Sequence, residues 1–143
     1  MSDVFLVDAN VLVYAVAGDE LGERCRTILA AVAEGELDGV TSTAVLEEVW
    51  HLELSGRIEN LSGQTARALS LFAPPLPITA AIFTRALGIE APEDLGANDR
   101  IHVATCLEHG FAAILTADRG FDDVGAIERI DPFDRRFAGL AAP

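Results

Sequence analysis

Four acids in this chain have types and positions that suit joint chemistry: Asp8, Glu48, Asp99 and Asp118. Clustered carboxylates repel one another and raise each other's pKa. Hard divalent cations relieve that repulsion, because carboxylate oxygens suit Mg²⁺ and Mn²⁺. Such an ion held by acids alone points to phosphoryl-transfer chemistry, in which the metal activates water and steadies the leaving oxygen. The expected cofactor is therefore Mg²⁺ or Mn²⁺. No grouping of His or Cys offers a zinc site. His51, His102 and His109 are spread over two predicted helices and read as ordinary surface or partly buried residues. Cys25 and Cys106 are far apart, and both read as core thiols.

These acids converge only if the elements around them do. Val4–Val7 is a compact apolar run that reads as a buried strand ending at Asp8, and Ala112–Thr116 is a second one ending just before Asp118. Leu37–Thr41 and Ala126–Ile130 read as weaker strands. Helical spacing covers Leu12–Ala17, Leu21–Ala33, a segment capped by Ser42 or Thr43 and stopped by Gly56, a segment capped by Ser62, and Thr79–Leu87. A last helix capped by Asn98 reaches His109, with Gly110 as its stop. Strands alternating with helices predict a three-layer α/β/α sandwich with a central, mostly parallel sheet. Right-handed crossovers then bring strand ends and the following helix starts to one edge, where such sheets bind ligands. Asp8 and Asp118 follow strands, while Glu48 and Asp99 lie in first turns of helices, so all four fall at that edge.

Composition narrows the chemistry further. The 143 residues suit a single domain, taken as 1–143, and half of them are hydrophobic, enough for a core. The apolar run Val11–Ala17 is far short of the roughly 20 residues a membrane helix needs. The start Met1-Ser2-Asp3 does not read as a signal peptide, so the expected location is the cytoplasm, with no membrane partner. All ten cationic residues are arginine, which excludes a P-loop and lysine Schiff-base chemistry. A net charge of −13 argues against broad, charge-driven grip on nucleic acid. It leaves room for phosphodiester cleavage at a metal-loaded pocket, and for a basic protein partner.

The local wording is more specific than the geometry. The segments Leu6-Val7-Asp8-Ala9-Asn10-Val11-Leu12, Ser42-Thr43-Ala44-Val45-Leu46-Glu47-Glu48-Val49, Asn98-Asp99-Arg100-Ile101-His102-Val103-Ala104-Thr105 and Ile114-Leu115-Thr116-Ala117-Asp118-Arg119-Gly120-Phe121 stand in the order and spacing of a PIN domain. From Val4 to about Pro132 the chain resembles the VapC-type toxin ribonucleases of bacterial and archaeal toxin–antitoxin pairs. The resemblance implies Asp8, Glu48, Asp99 and Asp118 as metal-binding acids, with Asn10 and Thr116 as polar helpers. It also implies cleavage of single-stranded RNA with Mg²⁺ or Mn²⁺, a homodimer, and inhibition by a cognate antitoxin.

Glu47 competes with Glu48 for the second motif. Helical phase favours Glu48, one turn from both Val45 and Leu52 on the apolar face. Asp122 follows the last motif as either a water-mediated metal contact or a solvated turn acid. Arg100 and Arg119, each beside a proposed ligand, either hold RNA phosphates or pair with neighbouring acids. Trp50 reads as core or dimer interface. The helices between Thr43 and Phe72 carry more apolar residues than one sheet face needs, which also suggests a homodimer. Two other functions compete. A haloacid-dehalogenase-like phosphatase needs an Asp where Asn10 stands, and a lysine. A binding-only scaffold would have little use for four intact acids.

Overall fold

The computed structural model describes residues 2–143. Its centre is a four-stranded, all-parallel sheet of β1 (Ser2–Val7), β2 (Gly39–Val40), β3 (Phe111–Leu115) and β4 (Glu128–Ile130), in the order β2-β1-β3-β4. Six α-helices cover it: α1 (Ala9–Tyr14), α2 (Glu20–Ala33), α3 (Thr43–Ser55), α4 (Gln64–Leu71), α5 (Ala80–Leu87) and α6 (Ala97–His109). Short 3₁₀ turns follow at Arg119–Asp123 and Arg135–Phe137. This is the expected α/β/α layering.

The pleat explains why the central strands are apolar throughout. Successive side chains point to opposite faces, and both faces are covered. Phe5, Val7, Ala113, Leu115 and Ile130 pack with Val11, Ile28, Val45 and Val49, a core built largely from α1 to α4. Leu6 and Ile114, paired in register, point the other way, against Val103, Cys106 and Phe121. Both cysteines are buried, unpaired thiols, as expected. The tail also joins the core: Phe137 is fully buried and meets the Phe5 ring edge-on at 6.3 Å.

Local signals set most helix ends. Ser42 Oγ accepts from the Val45 amide, Thr79 caps α5 through Ile82, and Gly56 and Gly110 close α3 and α6 in the left-handed region at φ 68° and 74°. Two expected caps are not used. Ser62 gives way to Gly63, at φ 82°, which cannot cap with a side chain. Glu53 of α3 reaches across instead, accepting from the amides of Gly63 and Thr65 at 3.0 Å each. Asn98 lies inside the first turn of α6, whose cap is Gly96. The second strand is only two residues long. At Gly39 a Cβ would lie 2.8 Å from Val32 and 3.2 Å from Phe5, so the strand is pressed under α2.

Candidate active site

Asp8 leaves the end of β1 as the N-cap of α1, its Oδ1 accepting from the Ala9 amide at 2.8 Å. It therefore serves as a helix cap and still presents a carboxylate at the sheet's carboxyl edge. The neighbouring strand β3 ends at the same level, and the Thr116 hydroxyl after it donates to Asp8 Oδ2 at 2.8 Å. That hydroxyl oxygen accepts in turn from Asn10 Nδ2 at 2.8 Å and from the Asp118 amide at 3.0 Å. Asn10 closes the circuit by accepting from the Ala117 amide at 3.2 Å. Asn10 and Thr116 thus tie the chain after β1 to the chain after β3.

Helix α3 brings Glu48 to this point and α6 brings Asp99 and His102, one turn apart on the same face. His102 Nε2 lies 2.6 Å from Glu48 Oε1 and 3.6 Å from Asp8 Oδ1. Asp8, Glu48 and His102 can each offer one donor atom to a common cation. Asp118 is exposed and caps the 3₁₀ turn after β3, accepting from the Gly120 amide at 2.8 Å.

The electrostatics describe one crowded pocket. Burial pushes the Asp99 carboxyl up to about 6, and the charges of Asp8, Asp118 and Glu48 add to it against the opposing pull of His102. Burial likewise holds Asp8 above the ordinary carboxylate range, with Glu48 adding to it and the bonds from Thr116 and Ala9 opposing. Burial works against a charged His102, but the Glu48 bond and the nearby acids outweigh it and raise its pKa. Asp99 responds to all three other predicted acids at once. Carboxylates gathered this closely, with Asp99 and Asp118 coupled to them by charge and an imidazole alongside, fit a hard or borderline divalent cation.

A family model described as PIN domain matches residues 5–127. The chain belongs to the PIN domain family. This PIN domain is similar to Ribonuclease VapC7 of Mycobacterium tuberculosis, 27% identical over 136 residues that cover 90% of this chain and 92% of that protein. A solved toxin–antitoxin complex from Klebsiella pneumoniae shares its fold, with a TM-score of 0.66 and 21% identity over 91% of this chain and 98% of that one. So does VapC20 of Mycobacterium tuberculosis, described as a Sarcin–Ricin loop cleaving toxin, with a TM-score of 0.66 and 16% identity over 87% and 97% of the two chains.

Several polar residues of the PIN domain sit elsewhere than its sequence suggests. Arg100 does not face the pocket mouth. Its guanidinium donates to the carbonyls of Ile89, Pro92 and Leu95 at 2.8–3.0 Å, clamping the loop that precedes α6. Asp122 is held by Arg129 at 2.6 Å. Arg119 is exposed, and its charge reaches Asp131. Trp50 is 53% exposed and so not part of the core. Glu47 is exposed, whereas the Glu48 side chain is only 27% exposed. Both line a cleft of about 450 Å³ with His51, Leu52 and Asn98.

Two residues at the site were not singled out. His102, expected at the surface or partly buried, has no exposed surface and stands among the acids. Its spacing of three from Asp99 was the available signal. Arg129 donates to the Thr116 carbonyl at 3.1 Å and to Asp131 at 2.9 Å, bracing the rim from β4. Its neighbours come from three separate segments, so no local pattern announces it.

Proposed function

We propose that this chain is a metal-dependent endoribonuclease that cuts single-stranded RNA in the cytoplasm and is the toxin of a toxin–antitoxin pair. The observation that carries this reading is the convergence of Asp8 and Glu48 on one point beside His102, with the Asp99 carboxyl raised by burial and by the charges of Asp8, Asp118 and Glu48. A pocket that opposes its own ionisation is relieved by Mg²⁺ or Mn²⁺. When bound, such an ion supplies positive charge and Lewis acidity to an anionic phosphodiester. The likeness to Ribonuclease VapC7 supports RNA as the substrate class.

In this reading Asp8, Glu48, Asp99 and Asp118 hold the ion. Asp8 is the fixed member, locked by the Ala9 amide and the Thr116 hydroxyl. Asn10 and Thr116 keep it from turning away, so little reorganisation remains when substrate arrives. Arg119, exposed beside Asp118, is the cation that would meet an RNA phosphate in this reading. The antitoxin would be a basic protein, able to pair with the acids when no ion is present. The reading includes a homodimer. Trp50 and Leu54 of α3 and Leu69 of α4 are exposed apolar residues that line a groove floored in part by the buried Leu46. Light scattering at micromolar concentration tests it, and a monomeric mass would count against it. Among the described residues no helix is long and apolar enough to cross a membrane.

The deciding experiment uses labelled structured and unstructured RNAs with Mg²⁺, Mn²⁺ or EDTA. Cleavage of the unstructured RNA with either ion, and none in EDTA, is expected. Equal cleavage in EDTA would defeat the metal reading.

A further inference from the structure

We propose that His102 is a positioning residue for Glu48: its Nε2–H holds the Glu48 carboxylate inside the pocket, so that the pocket is set before an ion arrives. The proposal rests on the reading of this pocket as a divalent-metal site. Among the described residues His102 is Glu48's hydrogen-bond partner and has no other side-chain bond of its own. Nε2 meets Oε1 at 2.6 Å, while Nδ1 is buried and has no protein partner among the described residues. An imidazole kept only to stabilise the core would anchor both nitrogens. An aliphatic side chain would fill this position and leave no polar atom bare. The Glu48 bond is thus the polar contact that distinguishes this imidazole from an aliphatic filler of the same space.

The distance says which partner the proton serves. At 2.6 Å the nitrogen and the carboxyl oxygen are within hydrogen-bond distance, and because a carboxylate can only accept, the proposal puts the proton on Nε2. The second acid, Asp8 Oδ1, stands at 3.6 Å, beyond a direct bond. A protonated Nε2 has no lone pair for a metal, so the imidazole acts through Glu48. It fixes Oε1, while Oε2 has no hydrogen-bond partner among the described residues. Without it, a side chain already 27% exposed and facing the Asp8 charge would swing outward into water. Outer partners that orient a metal-binding carboxylate work in this way.

The test compares the wild-type protein with His102→Leu, which fills the space, and His102→Gln, which keeps an amide N–H donor. Mg²⁺ and Mn²⁺ are titrated separately by calorimetry, and folding is checked by circular dichroism. His102→Leu should bind both ions more weakly by roughly 10–100-fold, and His102→Gln should recover most of the affinity. Imidazole ¹⁵N spectra of the wild type supply a readout that needs no variant. Nε2 should carry a proton both without ions and at Mg²⁺ saturation, and its proton signal should shift in Glu48→Gln. Wild-type affinity in a folded His102→Leu would overturn the proposal while leaving the metal reading intact. Loss of the Nε2 proton on Mg²⁺ binding would also overturn it, by making His102 a ligand. If the wild type takes up neither ion, the metal reading itself falls and this proposal with it.

Discussion

The Thr116 hydroxyl stands 2.8 Å from the Asp8 carboxylate across 108 residues of sequence, and it accepts from Asn10 and the Asp118 amide while donating to Asp8. Thr116 is therefore the hinge pin of the pocket. Thr116→Val keeps the shape but removes one donor and one acceptor, leaving a buried carboxylate oxygen less satisfied. It should lower stability by about 1–3 kcal/mol and reduce cleavage while leaving the fold intact. Denaturant melts and an RNA assay together would check this, and an unchanged melt would remove the network from the account.

Asp8→Asn separates charge from shape. Asn caps helices as well as Asp, so α1 should persist. Loss of a buried carboxylate held above its usual pKa should raise the melting temperature of the ion-free protein at pH 7.5. Cleavage should be lost at the same time. Cutting at the wild-type rate in Mg²⁺ would show that the mechanism is wrong.

Glu47 and Glu48 give a matched pair. Among the described residues the exposed Glu47 side chain has no hydrogen-bond or ion-pair partner, whereas Glu48 turns inward to His102. Glu47→Gln should leave cleavage nearly unchanged, while Glu48→Gln should reduce it by an order of magnitude or more, on the scale of losing a charged group at a reacting centre. The reverse outcome would move the second motif by one residue.

The pH dependence of the ion-free fold has a definite sign. Asp99 at about 6, Asp8 and His102 all have folded pKa values above their ordinary ones. Each favours the folded state when protonated, so its contribution is complete below the unfolded pKa and is lost as pH rises through the folded one. Stability in EDTA should therefore fall between pH 5 and pH 7.5, with a drop in melting temperature on the order of 5 °C. Adding Mg²⁺ at pH 7.5 should reverse most of it. A curve that is flat or rises over this interval would contradict the crowding of the acids.

Gly22 tests the packing away from the site. A Cβ there would collide with the Ala17 carbonyl oxygen and lie 2.8 Å from that of Tyr14. Both are backbone atoms, with no rotamer to escape into. Gly22→Ala should cost roughly 1–3 kcal/mol despite the better helix propensity of alanine. A more stable variant, by thermal melting, would show that the turn between α1 and α2 is soft.

What the sequence revealed followed from how local each feature is. β1 and β3 are apolar because both faces are buried, so their runs announce them and place Asp8 and Thr116 at their ends. Ser42, Thr79, Gly56 and Gly110 act within a turn of their own positions and were legible for that reason. The Glu53 cap on α4 was not, because its donors lie 10 and 12 residues away on another helix. Arg100 and Asp122 looked available because their partners, loop carbonyls and Arg129, are set by tertiary packing alone. The inward turn of His102 depended on α3 arriving opposite α6, which no single segment encodes.

The strand order also fixes when the molecule can begin to act. β1 is synthesised first yet sits in the middle of the sheet, flanked by β2 and by β3, which begins at Phe111. Asp8 meets its Thr116 partner only after the chain has grown by a further 108 residues. A growing chain therefore carries the first acid of the pocket without the wall that holds it in place. A nascent chain that has not yet reached Thr116 cannot present the assembled pocket, whatever that pocket binds.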